Sequence, residues 1–196
     1  MSKSPQEVFF TLYDPIDGME LSRQAREDIP EDRSLIYGEV SYDCMAHILS
    51  LVPQKEGDYR FCDLGSGTGK AVVLAALLGS FTHCVGVEKL SPLHEVAQSV
   101  AKQIDASDLD GTEISYLNQD INDADLSDTD VVFVHATCFE DPLIKVIKKK
   151  VKGMKKGSIL CTVTQDFSMG EFDPIHVERY PFSWGDGTIY IQEKVC

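Results

Sequence analysis

Asp63-Leu64-Gly65-Ser66-Gly67-Thr68-Gly69 sets one carboxylate and three alternate glycines between an apolar run that reads as a strand and another that reads as a helix. Glycines at such a corner permit the tight turn and strip away Cβ atoms, so a ligand can lie against bare backbone. The first N–H groups of the helix have no intrahelical partner and face that ligand. Two phosphate-binding patterns fail here. Leu64 stands where the first glycine of GxxxxGK[ST] belongs and Ala71 where its Ser or Thr belongs, and Lys70 fills the third glycine position of GxGxxG. Glu88 closes the next strand-like run, at about the 20-residue spacing that lets an acid accept both hydroxyls of a ribose. Asp120 follows a third run, where an acid can accept a hydrogen bond from an exocyclic amino group of a base. His135 and Thr137 offer polar groups at the end of a fourth run, and Tyr190 offers one in the last. The chemistry this suggests is recognition of a nucleoside by backbone and carboxylates.

The elements that must position these groups alternate along the chain. Met45, Ile48, Leu49 and Val52 form one apolar stripe of a helix that begins near Ser41. Strands are expected over 59–64, 81–88, 113–117, 130–135 and 158–164. Helices are expected over 71–78, from Leu93 to Ile104 with Ser91-Pro92 as N-cap and first residue, and over 142–151. Gly153 and Gly157 then turn the chain. Runs at 176–180 and 188–192 flank a glycine-rich turn and read as a terminal hairpin. This order predicts an α/β fold with seven strands, mostly parallel and the last antiparallel, and helices on both faces. Residues 1–36 are less regular. Phe9, Phe10, Leu12 and Tyr13 suggest a segment that packs on the body or acts as a lid, ahead of a domain over 37–196.

Composition narrows the class. The chain has 196 residues, 43% hydrophobic and 26% charged, which suits one soluble domain. It has no apolar run near the ~20 residues of a membrane span and no signal-peptide core, so an intracellular site, nucleus or cytoplasm, is expected. None of the six cysteines forms a CxxC pair, and Cys62, Cys84 and Cys161 sit in strand-like runs, which argues for buried thiols rather than disulfides or a metal site. The net charge of −14 disfavours nucleic acid and favours a basic partner. The exception is the run of seven lysines from Lys145 to Lys156, which reads first as a solvated helix face near a helix C-terminus. The oligomeric state has no signature.

The spacing DxGxGxG resembles the nucleoside loop of S-adenosylmethionine-dependent methyltransferases. More of the chain resembles the Dot-type (disruptor of telomeric silencing) histone lysine methyltransferases, which lack a SET domain. Ile36-Tyr37-Gly38-Glu39-Val40-Ser41-Tyr42 is similar to that family's YGE segment, and Phe61 to Gly69 to its F-x-DLGSGxG segment. Gly86-Val87-Glu88-Lys89 is similar to its GVEK segment and Ser183-Trp184-Gly185 to its S-W-x-G segment. The likeness runs in order over about residues 36 to 192. It implies a Rossmann-like class I methyltransferase fold, S-adenosyl-L-methionine as cofactor, and a histone-like basic protein as substrate. It also implies that Tyr37, Glu39, Val40 and Ser41 border the cofactor. Asp63 would hold its methionine end. Gly65, Ser66, Gly67 and Gly69 would form the nucleoside loop, with Glu88, Lys89, Asp120, Ile121 and His135 completing the site.

Methyl transfer from a sulfonium is an in-line displacement, to which positioning alone contributes ~7–11 kcal/mol. A lysine acceptor must arrive neutral, and an aromatic channel lowers its pKa by desolvation; Phe139, Trp184 and Tyr190 are candidates. His135, Thr137 and Tyr190 are the candidate catalytic groups. The family carries an asparagine-rich segment after the fourth strand, whereas this chain reads Phe133-Val134-His135-Ala136-Thr137-Cys138-Phe139. A small-molecule or RNA methyltransferase, and an inactive cofactor-binding partner protein, therefore stand as alternatives.

Overall fold

A computed structural model describes residues 3–29, 35–36, 38–167, 169–182 and 184–196. The elements in chain order are α1 Pro5–Tyr13, α2 Gly18–Ala25, α3 Tyr42–Leu51, β1 Arg60–Leu64, α4 Lys70–Leu78, β2 His83–Glu88, α5 Ser91–Ala101, β3 Glu113–Asn118, β4 Val131–His135, α6 Asp141–Val151, β5 Ile159–Val163, β6 Phe172–Phe182 and β7 Gly185–Lys194. The seven strands form one sheet in the order β3-β2-β1-β4-β5-β7-β6. β1 to β5 run parallel, and β7 is antiparallel to both β5 and β6.

The chain winds outward from β1 to β3, then returns to β4 beside β1. Loops leaving the carboxyl ends of β1 and β4 therefore diverge, which opens a crevice where ligands bind in such sheets. Phe61, Phe133, Cys161, Ile189 and Ile191 face a core shared with α1, α3, α4 and α5. Cys62, Leu64, Val132, Val134 and Leu160 face a second core shared with α6. α4 lies under both α1 and α3, and its residues Ala71 to Ala76 are all buried. That double cover accounts for a helix without a polar face.

Three expectations change. The opening segment forms α1 and α2: Ser4 and Glu7 close a reciprocal capping box around Pro5, and Asp17 caps α2 by accepting from the Glu20 N–H. At α5 the N-cap is Leu90 rather than Ser91, because the Ser91 hydroxyl donates to Asn118 Oδ1 at the end of β3 (2.8 Å). The terminal hairpin is also longer than its apolar core suggests. Cys44, Cys62, Cys84 and Cys161 are buried free thiols. Among the described residues no helix is long and apolar enough to cross a membrane, and no cluster of His, Cys, Asp and Glu is arranged to hold a metal.

Candidate functional site

The glycine loop hangs from β2: the N–H groups of Gly65 and Ser66 both donate to the Val87 carbonyl, at 2.9 and 3.0 Å. Gly65, Gly67 and Gly69 have φ of 85°, 53° and 86°, a left-handed path that side chains resist. Their tasks differ. A Cβ on Gly65 would stand 3.1 Å from the Phe139 ring at the cavity wall. One on Gly69 would stand 2.3 Å from the Tyr116 hydroxyl, so close packing against β3 requires glycine there.

Glu88, at the end of β2, is buried and held at both oxygens. Gly67 N–H donates to Oε2 (2.8 Å) and Leu90 N–H to Oε1 (2.7 Å). Burial raises its pKa despite these bonds. Asp63, at the end of β1, is buried beside it; burial first and the Glu88 charge second push its carboxyl up to about 8. Two carboxyls so placed favour a cationic, hydroxyl-rich ligand.

Glu88 opens onto a cavity of about 680 Å³, a size typical of small-molecule sites. Gly65, Lys89, Asp120, Ile121, His135 and Phe139 also line it. Asp120 accepts from Asn122 N–H (2.9 Å) and pairs with Lys89 Nζ (2.9 Å). Burial opposes its ionisation, but these contacts outweigh it and lower the pKa. Its carboxylate keeps further acceptor capacity. A smaller pocket of about 20 Å³ adjoins, lined by Glu39, Val40, Asp63, Ser66, Lys70 and His135 among others.

His135 touches both spaces. Its Nε2 is buried without a hydrogen-bond partner, as is Ser66 Oγ, among the described residues. Burial drops the imidazole to about 4. Phe182 and Trp184 meet it edge-on at 6.3 and 6.2 Å and stack on each other at 4.8 Å.

The remaining sequence candidates scatter. Tyr190 pairs in register with Thr162, on the sheet face opposite His135 and Ile189, and lines neither space. Strand alternation, which apolar content alone does not phase, sets it there. Thr137 shares a hydrogen bond with Thr164 Oγ1 (2.9 Å). Ser41 caps α3, accepting from Cys44 N–H (3.2 Å), and is no part of the pocket wall. Tyr37 and Ser183 lie outside the described residues. Four of the seven lysines are engaged internally. Lys150 donates to the Ala124 carbonyl, Lys152 pairs with Glu171 and Lys155 with Asp130, while Lys148 stands over the Phe167 ring. Sequence reasoning missed Leu90, Leu93, Leu143 and Val146, which form the apolar cavity wall. Of these the sequence reading named only Leu93, as part of the apolar stripe of its helix.

Comparison with known proteins follows the same lines. The model of a family described as histone methylation protein DOT1 matches residues 31–172. The H3 lysine-79 specific histone-lysine N-methyltransferase of Kluyveromyces lactis is 25% identical over 170 residues, covering 75% of this chain and 29% of that protein. The chain thus spans under a third of that relative's length. Among solved structures, an RNA methyltransferase from Salinibacter ruber, in complex with S-adenosyl-L-homocysteine, superposes with a TM-score of 0.62 at 21% identity, over 81% of this chain and 94% of that one. A putative class I S-adenosylmethionine-dependent methyltransferase from Listeria monocytogenes gives 0.64 at 18% identity, over 98% and 69%. At such identities the likeness speaks for the Rossmann-like fold alone.

Proposed function

The chain belongs to the DOT1 family of histone methylation proteins, and from that premise we propose that it is an S-adenosylmethionine-dependent protein-lysine N-methyltransferase acting on a histone or a similarly basic protein. The observation that carries this is Glu88: a buried carboxylate with each oxygen fixed by a backbone N–H, aimed into a nucleoside-sized cavity beside bare glycine backbone. The residues fit the donor. Asp63 is a buried acid that an arriving cation would ionise, and Ser66 Oγ and His135 Nε2 are buried polar atoms awaiting partners.

When bound, S-adenosylmethionine supplies a methyl group on a positively charged sulfur. Glu88 accepts the two ribose hydroxyls, Asp120 accepts from the adenine amino group, and Ile121 and Phe139 cover the base. Asp63 holds the ammonium of the methionine end. His135 stays neutral at physiological pH, so it orients through Nε2 without repelling an incoming amine, and it is too weak a base to remove its proton. The stacked Phe182 and Trp184 beside it form an apolar approach that strips water from a lysine and favours its reactive neutral form. A net charge of −14 attracts a basic substrate.

Incubation with tritiated S-adenosylmethionine and, separately, nucleosomes, core histones and total RNA tests this. Label on a histone lysine is expected. Label confined to RNA, or none on any substrate with donor bound, would overturn it.

A further inference from the structure

Thr164 follows β5 directly and has φ of 74°, in the left-handed region. A β-branched residue is strained there, whereas glycine takes the same backbone freely. The other described non-glycine residue with positive φ is Asp110, in a turn ahead of β3, and its type tolerates that path. Thr164 is held in place from both sides. Its N–H donates to the Thr188 carbonyl of β7 (2.8 Å), and the Thr162 hydroxyl reaches past it to the Gln165 carbonyl (2.7 Å). The Thr164 hydroxyl then meets the Thr137 hydroxyl at 2.9 Å.

Thr137 sits in the single turn Ala136–Cys138, which joins His135 to Phe139. Neither threonine lines the nucleoside cavity, but both ends of this turn do. Both rings lie close over bare backbone. A Cβ on Gly38 would stand 3.0 Å from His135 Cε1, and one on Gly65 would stand 3.1 Å from the Phe139 ring. Walls packed this closely move when the turn between them moves. Strained backbone persists where the surroundings over-determine it, and it concentrates where geometry is used. Glycine at 164 would remove the strain and the hydroxyl together.

We propose that Thr164 is a positioning residue for the donor site: its backbone is held in the left-handed region so that its hydroxyl fixes Thr137, and through that turn sets the His135 and Phe139 walls of the cavity. The proposal rests on the donor site assigned above. Thr164 touches no part of the donor and acts only through the turn.

Calorimetry with S-adenosylhomocysteine, beside thermal unfolding, tests this on the wild type, Thr164→Val, Thr164→Ser, Thr137→Val and the double valine variant. Valine keeps the shape and branching of threonine, so each single valine variant deletes one hydroxyl. Thr164→Val is expected to weaken S-adenosylhomocysteine about fivefold, while its melting temperature falls by no more than about 4 °C. Thr164→Ser keeps the hydroxyl and is expected to stay within about twofold of wild type. Thr137→Val should match Thr164→Val, and the double variant should lose no more than either, as partners in one bond do. A lower melting temperature with wild-type affinity in Thr164→Val would leave a merely structural bond and overturn the proposal. Losses that add in the double variant, or a Thr164→Ser variant as weak as Thr164→Val, would overturn it as well. Wild-type protein that binds no S-adenosylhomocysteine would overturn the donor site itself.

Discussion

Asp63 is the residue whose charge state decides most. Its folded value of about 8 lies far above the ordinary 3.8, because burial and Glu88 both oppose ionisation. The folded chain therefore keeps a proton that the unfolded chain gives up, and stability falls as pH rises through that window. Asp63→Asn removes the penalty. Its melting temperature should exceed the wild type's by a margin that grows from pH 5 towards pH 8; a margin independent of pH would contradict the shift. Donor binding runs the opposite way. A cationic ligand selects the ionised acid, so wild-type affinity should rise with pH up to about 8 and Asp63→Asn should flatten that rise. Burial lowers His135 to about 4, so it is neutral near pH 7 and activity near neutrality should show no step from it.

At the scale of elements, the caps and clips around the loop set its geometry. Tyr13→Phe deletes the bond from α1 to the Thr68 carbonyl and should cost about 1–3 kcal/mol, read as a lower denaturant midpoint. Ser41→Ala removes the α3 cap and should cost about 1 kcal/mol by the same measurement. The strands and helices after residue 40 were legible because apolar period and glycine punctuation agree there. Glu88 was legible because one spacing ties a strand-end acid to a glycine loop. The opening helices were not, since their signal is the short capping box of Ser4 and Glu7 and not a long stripe. Tyr190 illustrates the other limit. Its strand was foreseen, but which face it takes follows from pairing with Thr162, and register is a property of two strands together. Lys70 read as a broken fingerprint and proves to line the pocket, because only the fold brings Glu39 and Tyr13 to it.

At the scale of the whole molecule, an acidic body surrounds the nucleoside cavity, and four of the clustered lysines are tied to that body. Attraction to a basic substrate should therefore be screened by salt: KM for a histone substrate should rise as sodium chloride increases from 50 to ~300 mM, with kcat little changed. A KM insensitive to salt would point to a substrate recognised without charge. All of this depends on a donor nucleoside seated against Glu88. Calorimetric titration of wild-type protein and a folded Glu88→Ala variant with S-adenosylhomocysteine tests that most directly. One site per chain, weakened by about 1.5–3 kcal/mol in the variant, is the predicted result; equal affinity in the two proteins, or no binding to the wild type, would contradict it.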